Sequence, residues 1–117
     1  MDMTAAEQIE LIELSIESAR EKVAMATSLR RLYKNKDFKK VFLDYFLGTD
    51  VSRTVKALAE PACQDPNIQR ALQKRIDAVG QLDQFMRMTE RIGDTAAKAL
   101  VDDEETREAI LRDEAEA

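Results

Sequence analysis

Apolar residues recur along the first third of the chain at alternating steps of three and four. Ile9, Ile12, Ile16, Ala19, Val23 and Ala26 form a heptad stripe of the kind that one face of a long helix buries against a partner. Thr4 and Glu7 precede it in the T-x-x-E spacing of a capping box, which sets the helix start. Leu11, Leu14, Leu29 and Leu32 lie outside the stripe and widen the apolar arc, so this helix is expected to meet more than one neighbour. A polar break at Lys34-Asn35-Lys36-Asp37 follows, with Asn35 or Asp37 as cap. Phe38, Val41, Phe42, Tyr45 and Phe46 then predict a short second helix ended by Gly48. Thr49 or Asp50 is placed to cap a third helix carrying Val51, Val55, Leu58 and Ala59, with Pro61 as its stop.

Asp65-Pro66 is the strongest boundary in the chain: an N-cap acid, then proline at the first helical position, where the missing amide costs nothing. From there Ile68, Leu72, Ile76, Val79, Leu82, Met86, Thr89, Ala96 and Leu100 predict a second long helix reaching about residue 101. Gly80 and Gly93 fall inside it. Each costs about 1 kcal/mol relative to alanine, and either close passage of another backbone or simple tolerance accounts for them. The pattern therefore predicts an all-α fold: a helical bundle or hairpin of two long antiparallel helices plus two short connecting helices. One domain is expected over residues 1–101, with residues 102–117 forming an acidic, mobile or weakly helical tail.

Composition supports this outline and narrows the chemistry. The 117 residues suit one small core, and three Gly and two Pro provide few breaks for a sheet. No apolar run is long enough to span a bilayer, and the start lacks the order of a secretory signal. Histidine is absent and Cys63 is the single cysteine, which removes the usual zinc and nucleophile-plus-imidazole arrangements. The three glycines are isolated, so there is no phosphate-cradling loop. Glu10, Glu13, Glu17 and Glu21 follow one polar helix face in the manner of solvated acids. The sequence thus predicts no enzyme, no cofactor and no metal.

The net charge of −5 is strongly segregated. Residues 1–21 hold six acids against Arg20, whereas residues 22–40 hold seven bases against Asp37. The stretch from Asp102 onward has eight acids and two arginines, which leaves the remainder of the chain at +1. Five of the six aromatics, Tyr33, Phe38, Phe42, Tyr45 and Phe46, lie within 14 residues beside the basic segment. Rings at helical spacing usually build core, yet Tyr45 and Phe46 cannot both face the same way as Phe38 and Phe42, so one is expected at the surface. Arg30, Arg31, Lys34, Lys36, Tyr45 and Phe46 are accordingly the candidate partner-binding residues. A basic patch with interleaved rings is also a nucleic-acid signature, but the acidic balance of the chain argues against a polyanion and for an acidic protein face.

Asn35 to Leu43 reads N-K-D-F-K-K-V-F-L. It is followed by V-x-x-L at Val55 to Leu58, Q-D-P at Gln64 to Pro66 and I-D-A-V-G at Ile76 to Gly80. Over about residues 10–100 this series resembles short helical proteins encoded in the virion structural-gene clusters of tailed bacteriophages. Tyr45-Phe46-Leu47-Gly48 stands where a G-Y-F ending is more usual, and the resemblance transfers no site residue. It implies a virion structural or assembly protein, associated with capsid, portal or neck or acting like a scaffold. Its expected partners are other virion proteins or further copies of itself, and its expected location is the virion, with the host cytoplasm during assembly. The alternative is a small phage regulator that binds a host enzyme.

Overall fold

The computed structural model describes residues 2–117. It is all-α, with no strand among the described residues. Helix α1 spans Ala5–Lys34 and the three-residue turn α2 spans Lys36–Phe38. A π-helix over Lys39–Asp50 leads into α3 (Val51–Ala57), and a 3-10 turn at Pro61–Cys63 precedes α4 (Pro66–Glu116). No helix is long and apolar enough to cross a membrane, among the described residues. The chain forms two compact units: Met1–Ser28 with Thr89–Ala117, and Leu29–Met88.

In the first unit α1 and α4 pack against each other. The direction is antiparallel, because Gly93 lies against Ala26 and Lys22 while Asp103 and Glu104 meet Ser15 and Arg20. The helix starts as its sequence predicts, with the Glu7 amide donating to Thr4 Oγ1 at 3.1 Å. Ile16, Ala19 and Ala26 of α1 are buried with Ala96 of α4, so small residues make up most of this seam. Gly93 lies close against α1, since a Cβ there would stand 2.3 Å from the Ala26 Cβ. Gly80, by contrast, has nothing within 4 Å of an added Cβ, and tolerance is its explanation.

Helix α4 does not stop near residue 101 but runs on through Glu116, so the acidic stretch expected to be mobile or weakly helical is helical. The reason lies in polar members of the heptad. Gly93, Ala96, Leu100, Asp103, Arg107 and Ile110 continue the three-four spacing, and Leu100, Asp103, Arg107 and Ile110 are half-buried. Ser15 Oγ donates to Asp103 Oδ2 at 2.6 Å, and Arg20 approaches Glu104 at 3.6 Å. An acidic stretch that reads as tail by composition thus supplies two contacts to α1.

In the second unit Leu29, Thr54, Val79 and Met86 are buried. Asn35 caps α2, its Oδ1 accepting from the Phe38 amide at 2.9 Å. The helix expected to end at Gly48 runs on as a π-helix, and neither Thr49 nor Asp50 caps a new one. Thr49 Oγ1 instead donates to the carbonyl of Asp44, five residues back, at 3.4 Å, and Asp50 pairs with Arg75 at 2.9 Å. Helix α3 ends at Ala57 in a tightened turn, before Pro61 opens the 3-10 turn. The predicted boundary at Asp65-Pro66 is present, with Asp65 Oδ1 accepting from the Asn67 amide at 2.8 Å. Gln69 holds this corner by donating to the carbonyls of Leu58 and Cys63 at 3.0 and 2.7 Å.

Candidate protein interaction surfaces

Two heptad seams run along α1 at different angles. The first, through Ile16, Ala19 and Ala26, is occupied by α4. The second runs through Leu11, Leu14, Ser18, Met25 and Leu32, at steps of three, four, seven and seven, and is turned to solvent. Leu14 and Met25 are 59% and 60% exposed, values of surface side chains rather than of a core. Helix α4 has a matching second seam in the first unit, Ile92, Thr95 and Ala99, all exposed.

Between these two seams lies an open groove of about 420 Å³, with Ser15, Ser18 and Lys22 on its α1 wall and Ile92, Thr95 and Ala99 on its α4 wall. A second hollow of about 250 Å³ shares Lys22 and Ile92 with it and extends past Met25. The side chains at its middle are small and those toward its rims large, a form that admits the close approach of a further helix. Its middle is weakly polar, with hydroxyls from Ser15, Ser18 and Thr95, and its edges carry Lys22 and Arg91. Nothing in it resembles a catalytic constellation, and among the described residues no group of His, Cys, Asp or Glu is arranged to hold a metal ion.

The second unit presents the aromatic cluster. Tyr33, Phe38, Phe42 and Phe46 form a row, with centroid separations of 6.4, 5.1 and 6.4 Å and the central pair stacked. The last three are four residues apart, and the wider π winding brings such positions closer to one line than an α-helix does. Phe46 is therefore a member of the row and half-buried, whereas Tyr45 stands outside the row and is 48% exposed; Phe42, within the row, is itself 41% exposed. Tyr45 borders a shallow apolar hollow with Val41, Asp44 and Thr49. Arg30, Arg31, Lys34 and Lys36 are all exposed around the end of α1 and the start of α2.

Of the six candidate residues, Tyr45 and the four bases are surface groups and Phe46 is mainly a packing residue. The groove in the first unit was not among the candidates. Its seam is built from serine, threonine and alanine, which do not register as hydrophobic positions, although their three-four spacing with Leu14, Met25 and Ile92 is readable once both helices are known. Comparisons of the chain with known protein families, with curated proteins and with solved structures return no match.

Proposed function

We propose that this chain is a non-enzymatic assembly subunit that works through helix-to-helix contacts with other protein chains, as a structural or assembly component of a tailed-phage virion. The observation that carries the reading is the set of large apolar side chains left uncovered. The chain exposes 8915 Å², whereas a compact monomer of 13.3 kDa exposes roughly 6,400 Å², a difference of about 2,500 Å². Leu11, Leu14, Met25, Phe42, Ile92 and Val101 are among the large apolar side chains more than two-fifths exposed. Scattered exposed leucines are ordinary, but Leu11, Leu14 and Met25 align into one heptad seam, and Ile92 faces it across the groove, the form that marks a protein contact.

The virion assignment rests on the resemblance of residues 10–100 to products of phage structural-gene clusters, and the charge segregation suits it, because acidic and basic segments on one chain favour ordered contact between copies. Quantitative mass spectrometry of procapsids and mature particles from the phage that encodes the chain tests it. A structural part is expected in many copies in both, and a scaffold-like part in procapsids only. Absence from both overturns the virion reading and favours a regulator directed at a host enzyme.

A further inference from the structure

We infer that the groove of the first unit receives α1 of a second copy of this chain, antiparallel to the first α1, so that two α1/α4 pairs form a two-fold symmetric four-helix arrangement. The inference deepens the proposed assembly role and rests on it, naming the partner and the direction of the contact.

Three observations converge on a second copy. The first is form. The exposed seam of α1 has its small residue, Ser18, beside the small-walled middle of the groove, with Leu14 toward one end and Met25 toward the other. A two-fold axis at the middle of the groove places the partner's Ser18 region at the closest approach and brings each Leu14 beside the partner's Met25. The most exposed apolar residues of the seam then cover each other. The same axis, midway between Leu14 and Met25, sets Ser18 of each copy opposite Glu21 of the other, so the two central layers repeat on either side of it, as a two-fold contact requires.

Charge supplies the second observation, and it fixes the direction. Along α1 the acids Glu10, Glu13, Glu17 and Glu21 precede the bases Arg30, Arg31 and Lys34. An antiparallel partner sets Glu10 of each copy opposite Arg31 of the other. It also runs parallel to α4, so its basic end lies along the stretch from Asp102 to Asp113, where six acids stand against two arginines. A parallel partner would set acid against acid and base against base in the same seam, which disfavours it. The third observation is area. A stable dimer covers about 800 Å² on each partner, and the uncovered surface of about 2,500 Å² beyond that of a compact monomer accommodates such an interface.

Cysteine cross-linking in the full-length chain with Cys63→Ser tests the arrangement. Leu14→Cys and Met25→Cys both alter exposed positions, and within one helix they stand about 16 Å apart, too far for an internal bridge. The expected result is that neither variant forms a covalent dimer when oxidised alone, whereas an equimolar mixture does, through Leu14→Cys of one copy and Met25→Cys of the other. Covalent dimer from either variant alone at the yield of the mixture overturns the antiparallel direction. Failure of the mixture to cross-link overturns the inference, and light scattering on the same samples distinguishes the cause. A dimer or larger species means that another face is used and the assembly reading survives. A monomer removes self-association altogether, and the assembly reading then rests on other virion proteins alone.

Discussion

Gly93 and Gly80 sit in the same helix and are chemically the same residue, yet they do opposite work. At Gly93 a methyl group would meet the Ala26 Cβ at 2.3 Å and the Lys22 carbonyl oxygen at 3.4 Å, and neither atom belongs to a side chain that can swing away. Gly93→Ala is therefore expected to lose about 1–3 kcal/mol through overpacking, despite its better helix propensity. Adding Ala26→Gly returns the space and should restore most of the loss. Gly80→Ala meets nothing and should gain up to about 1 kcal/mol. Urea unfolding of the four proteins measures this, and equal stability of Gly93→Ala and Gly80→Ala would show that the α1/α4 seam is looser than described. From the sequence alone the two glycines were equivalent, because what separates them is a neighbour 67 positions away in the chain.

Among the elements, the segment from Lys39 to Asp50 departs most from its sequence pattern. Helix starts were legible at Thr4, Asn35 and Asp65 because a cap is a local event: one side-chain oxygen and an amide two or three residues on. The passage through Gly48 and the extension of α4 to Glu116 were not legible from apolar spacing, nor were the long-range contacts that accompany them, Asp50 with Arg75 and Asp103 with Ser15. The two long helices and their antiparallel pairing were readable from apolar periodicity, whereas the groove beside them was hidden in residues too small to score as apolar. Within the π-helix the row of rings and the exposed Tyr45 have separable roles. Phe42 touches Phe38 and Phe46, with centroids 5.1 and 6.4 Å away, so Phe42→Ala forfeits two ring contacts and should cost about 1–3 kcal/mol. Tyr45→Ala should change stability by less than about 0.5 kcal/mol, as surface substitutions do. Thermal unfolding followed by circular dichroism checks both, and a larger loss for Tyr45→Ala would place that ring in the core.

At the scale of the whole molecule, the seam of the first unit is narrow and dominated by alanine and glycine, which brings helices close but buries little apolar area per residue. Large apolar side chains that would ordinarily fill a core, such as Leu11, Leu14, Met25 and Ile92, stand outside it. In the proposed assembly, covering those faces with another chain would add stability, and folding and association would be linked through mass action. In the same proposed assembly, the opposite charges at the two ends of α1 would give a direction to contacts that apolar seams alone leave open.

Sedimentation equilibrium of the purified chain, from about 1 to 100 µM so as to span ordinary assembly affinities, tests the central claim that these exposed helix faces are association surfaces. The wild-type chain is expected as a dimer or larger species, and the double variant Leu14→Glu, Met25→Glu as a helical monomer. A wild-type chain that stays monomeric and fully helical across that range would contradict self-association through these faces, and a double variant that assembles as the wild type does would remove the second seam of α1 from the contact.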